Sequence, residues 1–289
     1  MSATVVICIL ISCGFDTIEV WSKWLEKGIP VVMHYSNCSQ AQVKEINRFC
    51  KRHKAVVVPS LRTSWCDISV LNAEIAMYDA TTVSFPNATH YVLVSEKTIP
   101  LVSATELIEY IQTHLRMKSQ FGRYTAKQSK NEQLFVNQLD YLKTLPMKIQ
   151  VCGQFKILHV AHFKRIRHTL KNMMPFLSKG DWYQWALNDA CLPPEEFVIL
   201  STLCNVYNVS NDFYVNKVVV VDDFRPRGAL RSHVFNDTRE LKQYLKENKE
   251  LSFINTRLFM RKFDKRTLPH VIELLERYNV FGSPTNKQS

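Results

Sequence analysis

Two adjacent glutamates in segment 191–203 are the residues whose type and setting most suggest chemistry. The segment reads CLPPEEFVILSTL, so that Glu195 and Glu196 follow two prolines and precede an apolar run. Proline suits the first position of a helix, and carboxylates in a first turn interact favourably with the helix dipole. A carboxylate in such a position could also act as a general base that accepts a proton during a reaction. The local pattern leaves both interpretations open.

Two basic segments could bind phosphate. Arginine offers paired N–H donors that match phosphate oxygens, and lysine adds a point charge. The first segment, VVVVDDFRPRGALR, contains Arg225, Arg227 and Arg231, and the second, RLFMRKFDKR, contains Arg257, Arg261 and Lys262. In the first, Asp222 and Asp223 could instead hold a metal, or the charges could compensate one another in a surface loop. A nucleic-acid surface would resemble the second segment.

The overall composition narrows the kinds of phosphate site that are available. Lysine and arginine number 37 against 26 acidic residues, which gives a net charge of +11 and suits polyanionic partners or a phosphate-bearing substrate. The chain has only 7 glycines in 289 residues, and neither G-x-x-x-x-G-K nor G-x-G-x-x-G occurs. A P-loop and a glycine-rich dinucleotide turn therefore have no sequence support. Any phosphate site would depend on side chains.

The cysteines and apolar runs bear on metal binding and membranes. None of the 8 cysteines forms a C-x-x-C pair, which disfavours a structural zinc site, and Cys8 and Cys13 lie in an apolar run where we expect buried thiols. The opening run TVVICILIS is too short to span a bilayer, and no other segment approaches 18 apolar residues. We therefore expect no integral membrane segment in this chain. Sequons, which have meaning only in a secretory lumen, occur at Asn37, Asn87, Asn208 and Asn236.

The first 115 residues predict alternating strands and helices. The predicted strands are TVVICILIS, IPVVMHYS, KAVVVPS and HYVLVS, and the helices between and after them are FDTIEVWSKWLEKG, SQAQVKEINRFCKRH, WCDISVLNAEIAMYDATTVS and SATELIEYIQTHLRM. Apolar strands separated by helices indicate an α/β fold with a parallel sheet that is covered on both faces. Ligands bind beyond the carboxyl ends of such strands, which directs attention to Ser95, Glu96 and Lys97 and to the segment DDFRPRG.

The rest of the chain is less regular. Residues 116–180 are polar and basic, with short strands predicted at KIQVCGQF and KILHV. Later helices are predicted at GDWYQWALNDACL, behind PPEE, at DTRELKQYLKEN and at TLPHVIELLERYNVF, with strands at KVVVVDDF and near SFINTRLFMRKF. We expect the tail 281–289 to be disordered.

The order of these segments resembles glycosyltransferase family 14, the core-2/I-branching β-1,6-N-acetylglucosaminyltransferases and their xylosyltransferase relatives. Five stretches over about residues 4–275 carry the resemblance: WCDISVLNAEIAMYDATTVSFPNATHYVLVS, VSEKTIPLVSATELIEYI, KGDWYQWALNDACL, CLPPEEFVILSTL and RLFMRKFD. It implies a GT-A-like domain with a mainly parallel, doubly covered, Rossmann-like sheet. Residues 1–280 would form a single catalytic domain, with a nucleotide-binding half at 1–115 and an acceptor and catalytic half at 116–280.

The resemblance also implies roles for individual residues. Glu196 matches the family's catalytic glutamate, whereas Glu195 would face outward and interact with the helix dipole. Lys262, with Arg261 beside it, would neutralise the diphosphate of a UDP-sugar donor, helped by Arg227 or Arg231. Further candidate donor or acceptor contacts are Trp65, Ser95, Glu96, Lys97, Trp182 and Trp185. The expected reaction is inverting transfer to a hydroxyl acceptor such as a glycan, with β-1,6-N-acetylglucosamine branching as the specific form.

No cofactor and no divalent metal are expected. A metal-dependent transferase would place Asp-x-Asp after the strand HYVLVS, because Mg²⁺ and Mn²⁺ require hard oxygen ligands, but this chain has Glu96 followed by Lys97. The family's aspartates after this strand are also missing, so contacts made by that loop are not carried over.

Two alternatives remain open. A glucosyltransferase acting on a hydroxymethylated base in DNA would require the same base and phosphate contacts, and a positive charge would then suit the nucleic acid. An inactive relative that only binds nucleotide-sugars or nucleic acid is the second. We expect either a Golgi-lumenal catalytic domain without its anchor or a cytosolic viral or bacterial relative.

Overall fold

The computed structural model describes residues 4–25, 28–123, 132–187, 192–207, 213–217, 219–222, 243, 258–261, 263 and 268–281. The strands are β1 (Val5–Ile11), β2 (Val31–Tyr35), β3 (Val56–Val57), β4 (His90–Ser95), β5 (Thr98–Pro100), β6 (Ser119–Arg123), β7 (Cys152–His159), β8 (Tyr214–Asn216), β9 (Val220–Asp222) and β10 (Phe259–Arg261). The helices are α1 (Ile18–Trp24), α2 (Gln40–His53), α3 (Ile68–Ser84), α4 (Ala104–Tyr110), α5 (Glu132–Lys143), α6 (Val160–Leu177), α7 (Trp182–Leu187), α8 (Val198–Val206) and α9 (Leu268–Arg277).

Seven of the described strands form one sheet in the order β3-β2-β1-β4-β7-β6-β8. The strands β1, β2, β3 and β4 pair in parallel, and β6 pairs in parallel with β8. Strand β7 is antiparallel to both β4 and β6, and it is the only described strand of this sheet that runs against its neighbours. The predicted α/β class with a mainly parallel sheet is confirmed. The sheet includes strands from both predicted halves of the chain.

Alternate residues of β1 belong to the hydrophobic cores on the two faces of the sheet. Val5, Ile7 and Ile9 belong to the core that also contains apolar residues of α1, α2, α4 and α9. Val6, Cys8 and Leu10 belong to the opposite core, with α3, α6 and α8. Every residue of β1 is buried, which explains why its sequence is continuously apolar. The predicted coverage of both faces is therefore also confirmed.

Side-chain caps fix the starts of three helices that position the strand ends. Ser39 and Gln42 form a capping box at α2, and Ser103 and Glu106 form one at α4. At α3 the Asp67 carboxylate accepts a hydrogen bond from the Ser69 N–H at 2.8 Å. Each cap satisfies an N–H group that has no partner within its own helix.

The region 148–177 differs from the sequence prediction. The two predicted short strands form one strand, β7, which is followed directly by the 18-residue helix α6. The basic segment HFKRIRH lies on α6 and buries His162, Phe163 and Ile166. The sequence prediction missed this helix because histidine and cationic residues interrupt its apolar pattern. It also missed α5 and the short strands β5, β6 and β8.

Other predicted boundaries and burial states also change. Helix α1 ends at Trp24, although the sequence predicted a helix ending at Gly28, and β3 has only two residues. Cys8 is buried as expected, but Cys13 is exposed because it follows the end of β1. Cys66 is disulfide-bonded.

The predicted helix DTRELKQYLKEN, apart from position 243, and the tail beyond residue 281 lie outside the described residues. Among the helices that are described, none is long and apolar enough to cross a membrane.

Candidate active site

The candidate site lies where the parallel strands β1 and β4 reach their carboxyl ends. Residues beyond such strand ends form the usual ligand sites of α/β proteins. Strand β7 runs against β4, with Ile157 opposite Val92. Its preceding residues, Phe155 and Lys156, therefore lie towards the carboxyl end of β4. The same sheet edge thus brings together residues from the first and second halves of the chain.

Glu96 is the first residue after β4, and it is almost fully buried. Its backbone N–H donates to the Leu10 carbonyl at 3.0 Å, and its Oε1 atom accepts a hydrogen bond from Ser12 Oγ at 2.9 Å. Burial raises the pKa of Glu96, while the hydrogen bond from Ser12 and the positive charges of Arg261 and Lys97 oppose that rise. Glu96 is therefore a buried carboxyl group at the sheet edge on which two cations act.

Ser95 has a structural contact in the turn that joins β4 to β5. Its hydroxyl lies 3.0 Å from the hydroxyl of Thr98, and the Thr98 hydroxyl also accepts from the Ser95 N–H at 3.2 Å. Thr17 Oγ1 donates to the Glu96 and Thr98 carbonyls at 2.7 and 3.1 Å. These bonds hold the turn closed against the start of α1. The turn therefore presents Lys97 from a fixed backbone.

Lys97 and Arg261 supply positive charge beside this turn. Lys97 Nζ lies 3.5 Å from Asp16 Oδ2. Strand β10 pairs with β5 so that Arg261 is opposite Thr98, and the Arg261 guanidinium lies over the ring of Phe155, with 4.7 Å between Cζ and the ring centroid. A guanidinium on an aromatic face is held in place while its N–H groups extend from the ring edge. This arrangement suits the binding of an anionic group.

The two glutamates of CLPPEEFVILSTL lie in a separate 3₁₀ turn, Pro194–Glu196, and not in the first turn of α8. The Glu196 N–H donates to the Pro193 carbonyl at 2.9 Å, and the Phe197 N–H donates to the Pro194 carbonyl at 3.2 Å. The prediction that Glu195 faces outward is wrong, because Glu195 is only 3% exposed. Glu196 is the half-buried member of the pair.

Burial gives the Glu195 carboxyl group unusual properties. It raises the pKa of Glu195 to about 8, an effect that the Lys156 charge opposes and the negative charges of Glu74 and Asp67 reinforce. The Oε2 atom has no hydrogen-bond partner among the described residues. The surroundings of Glu195 therefore favour the neutral form of its carboxyl group. Its interaction with Asp67 also places the turn near the start of α3.

A buried ion pair lies directly beneath the turn. Lys156 Nζ is 3.0 and 3.2 Å from the two carboxylate oxygens of Glu74, and it donates a third hydrogen bond to the Glu195 carbonyl at 2.9 Å. Tyr78 OH donates to Glu74 Oε1 at 2.7 Å. Lys156 and Glu74 are both 0% exposed. The sequence analysis missed this pair. The available signals were Lys156 inside the apolar run FKILHV and Glu74 inside an apolar helix.

Phe155 and Lys156 link the two halves of the site through neighbouring positions of one strand. Successive side chains of a strand point to opposite faces. Phe155 belongs to the core that contains β10 and supports Arg261. Lys156 supports the turn that carries Glu196 on the other face. At the start of β7, Arg261 therefore lies on one face of the sheet and the Glu195–Glu196 turn on the other.

The predicted tryptophan contacts fall into two groups. Trp65 is 54% exposed and lies two residues before the Asp67 cap of α3, which contacts the Glu195 turn. Trp182 and Trp185 are 3% and 6% exposed and pack edge to face with ring centroids 5.0 Å apart. Trp182 Nε1 also donates to the Leu177 carbonyl at 2.7 Å. The two later tryptophans therefore serve the core, whereas the ring of Trp65 is exposed on the surface.

Arg227, Arg231 and Lys262 lie outside the described residues, as do Arg225 and Arg257. Within the part of the chain that is described, no three histidine, cysteine, aspartate or glutamate side chains gather in a way that could hold a metal ion. Metal independence remains a prediction.

Comparisons with known proteins give matches at the level of structure only. No family model matches the chain, and no curated protein sequence matches it. Solved structures with some similarity include TarS from S. aureus (11% identity, TM-score 0.36, covering 56% of this chain) and mouse xyloside xylosyltransferase 1 (9% identity, TM-score 0.39, covering 78% of this chain and 93% of the other). Core-mannan synthase A from Aspergillus fumigatus matches at 10% identity and a TM-score of 0.33, over 70% of this chain and 69% of the other. The chain spans 29% of the TarS chain. At these TM-scores the matches transfer no residue and no reaction.

Proposed function

We propose that this protein is a glycosyltransferase that moves a sugar from a UDP-sugar to a hydroxyl acceptor with inversion and without a divalent metal. The observation that supports the proposal is that adjacent residues of β7 contact the Glu195–Glu196 turn on one face of the sheet and Arg261 on the other. Lys156 and Phe155, adjacent on β7, contact the Glu195 carbonyl and Arg261 respectively. The sequence resemblance described above supports the same assignment, with β-1,6-N-acetylglucosamine branching of a glycan as its specific form.

The proposed reaction needs one base and a stabilised leaving group. Glu196 accepts the proton of the acceptor hydroxyl as that oxygen bonds to the anomeric carbon of the sugar. The bond from the anomeric carbon to the phosphate oxygen breaks on the opposite face, and UDP leaves with the electron pair. Inversion at carbon follows from this geometry.

Cations take the place that a metal would have at the diphosphate. Arg261 and Lys97 supply positive charge on the side of the sheet edge where β4 ends. Lys262 with Arg227 or Arg231 would complete the diphosphate contacts in this proposal. Fixed positive groups stabilise charge that develops on a leaving group without costly reorganisation.

The two adjacent glutamates provide the test of the base. Glu196→Gln should abolish sugar transfer while UDP binding and the melting temperature stay within error of the parent. Glu195→Gln is the matched control, because it changes the neighbouring carboxyl in the same turn, and it should keep most of the activity. Transfer would be followed as UDP release from UDP-N-acetylglucosamine, UDP-xylose, UDP-glucose and UDP-galactose. Equal loss from both variants would contradict the assignment of Glu196.

A thermal-shift panel tests the donor and the metal requirement together. Binding of a ligand to the folded state raises the melting temperature by an amount that grows with the ratio of ligand concentration to Kd. The proposal predicts a rise with one or more UDP-sugars that is unchanged by EDTA. A rise that EDTA removes would contradict metal independence, and a rise without any turnover would favour an inactive binding protein.

A further inference from the structure

Lys156 is the most unusual charged residue in the described part of the molecule. It is fully buried in β7 and makes three polar contacts, two to the Glu74 carboxylate and one to the Glu195 carbonyl. A buried lysine without partners would cost several kcal/mol, on the order of the ion desolvation penalty in proteins. The three contacts match the three donors of the ammonium group. Its geometry is therefore fully specified.

The partners of Lys156 come from two other elements. Glu74 lies on α3 and is itself fixed by Tyr78, whose hydroxyl donates to it at 2.7 Å. The Glu195 carbonyl belongs to the Pro194–Glu196 turn, and Lys156 belongs to β7. The ammonium thus ties a helix and a turn to the central sheet. The tie reaches the peptide unit that joins Glu195 to Glu196.

The hydrogen bond from Lys156 to the Glu195 carbonyl restricts the orientation of the Glu195–Glu196 peptide. The peptide between Glu195 and Glu196 is planar, so fixing its oxygen also fixes its N–H and limits the dihedral angles of the residues on both sides. That N–H donates to the Pro193 carbonyl. Both polar groups of this peptide are therefore held. The direction in which the Glu196 side chain leaves the backbone follows from that constraint.

We propose that Lys156, held by Glu74, is a positioning residue that fixes the Glu195–Glu196 peptide and so sets the direction of the Glu196 carboxylate. This inference rests on the proposed function for its effect on catalysis, but the effect on the turn is independent of it. Lys156 touches no reacting atom in the proposed reaction. It acts through the backbone of the turn.

The test replaces both members of the buried pair, because removal of one partner alone would leave an uncompensated buried charge. Lys156→Met with Glu74→Gln keeps similar side-chain volumes, and the amide oxygen introduced by Glu74→Gln can still accept from Tyr78. The matched control is Arg167→Met with Asp79→Asn. This control removes another ion pair of α3, with contacts of 2.7 and 2.6 Å to a residue of α6, that does not touch the turn.

The first readout is amide hydrogen exchange at Glu196 and Phe197, measured by mass spectrometry of peptides covering 192–200. In the Lys156/Glu74 double variant these two amides should exchange at least about tenfold faster than in the parent. A tenfold change corresponds to a loss of about 1.4 kcal/mol in the free energy that keeps the turn closed. The Arg167/Asp79 control should match the parent. The second readout is UDP release from the best UDP-sugar in the panel above. The Lys156/Glu74 variant should lose about tenfold or more in kcat with the donor KM within about twofold, because only an interaction of the transition state is lost. The control should change neither value by more than about twofold.

The result for each variant bears differently on this inference and on the proposed function. If the parent protein releases no UDP from any sugar nucleotide, the proposed function fails, and the exchange measurement still decides whether Lys156 fixes the turn. Unchanged exchange and unchanged kcat in the Lys156/Glu74 variant would overturn the inference, as would an equal loss in the control. If that variant does not melt cooperatively, Lys156→Gln with Glu74→Gln replaces it, since the two amides can pair with each other while the bond to the Glu195 carbonyl is weakened.

Discussion

Ser12 donates a hydrogen bond to Glu96 across the ends of the neighbouring parallel strands β1 and β4, with 2.9 Å between Oγ and Oε1. Because Glu96 is only 6% exposed, loss of this donor leaves a buried carboxyl oxygen less well satisfied. Ser12→Ala should therefore lower the free energy of unfolding by about 1–3 kcal/mol. A double-mutant cycle with Glu96→Ala, measured by urea unfolding, should give a coupling energy of about 1 kcal/mol. Additive effects of the two substitutions would show that the bond contributes nothing.

Stability should depend on pH through Glu195. Burial raises its pKa to about 8 in the folded protein, against an ordinary value of 4.5, so the unfolded chain loses this proton at a lower pH than the folded protein does. Its contribution to stability is complete below about pH 4.5 and is lost progressively as the pH rises through the folded-state pKa of about 8. The groups that face it are Lys156 from β7, Glu74 from α3 and Asp67, the residue that caps α3.

Glu195→Gln removes that titration. The variant and the parent should differ least near about pH 5, and at about pH 9 the variant should be the more stable by a few kcal/mol, since each pKa unit corresponds to about 1.4 kcal/mol. Guanidinium unfolding at both pH values measures the difference. A constant offset between the two proteins would contradict the buried neutral acid.

Three buried histidines should make the protein sensitive to acid. Burial lowers the pKa of His90 to about 3 and that of His162 to about 4, with His159 lowered as well, and the rings lie next to one another. The unfolded chain binds these protons near about pH 6.5, so stability is present above that value and is lost as the pH falls towards about 4. His162→Gln should reduce the slope of unfolding free energy between about pH 7 and 5. Phe176→Gln, at an exposed position of the same helix, should leave the slope unchanged because neither side chain titrates.

The exposed and buried tryptophans should respond differently to truncation. Trp65→Ala should leave the melting temperature close to the parent value and should raise the KM of the acceptor, because Trp65 is exposed and lies two residues before Asp67, whose charge acts on Glu195. Trp182→Ala should instead lower the free energy of unfolding by about 3–5 kcal/mol, the usual cost of removing a large buried aromatic side chain. Steady-state kinetics and thermal unfolding of both variants check the contrast. A destabilised Trp65→Ala protein with normal acceptor kinetics would contradict it.

Arg261 should contribute to binding of the diphosphate. Arg261→Ala should weaken UDP binding by about tenfold or more, since hydrogen bonds to charged groups contribute about 1.5–3 kcal/mol. Arg48→Ala, which removes an exposed arginine of α2, should leave the affinity unchanged. Isothermal titration calorimetry with UDP at fixed ionic strength measures both. Equal affinities for the two variants would remove Arg261 from the donor site.

The predictable part of the fold is the part governed by local pattern. Strand β4 coincides with the predicted HYVLVS, and α2 and α3 begin beside the cap residues Ser39 and Asp67 that the sequence displays. Helix α6 was missed because its basic residues face outward while His162 replaces an apolar residue on the buried side. The reversed direction of β7 could not be predicted, since strand direction depends on the connections and not on the residues of the strand.

The sequence suggested candidate residues for the site, but it did not predict the buried contacts between distant residues that support it. The choice of Glu196 over Glu195 as the base came from resemblance and stays a prediction, and the burial of Glu195 beside a half-buried Glu196 could not be read from the sequence. The pairing of Lys156 with Glu74 joins residues 82 positions apart, and no local pattern links them. Ser12 and Glu96, 84 positions apart, raise the same difficulty.

The alternation along β7 also restricts how the sheet can assemble. If β7 paired with β4 one residue out of register, Lys156 would point into the core that now contains Phe155. The Phe155 ring would then face the Glu74 carboxylate. Both exchanges are unfavourable, so a misaligned sheet would lose an ion pair on one face and an aromatic support on the other. Correct alignment of this strand during folding is therefore also the step that creates both halves of the proposed catalytic edge.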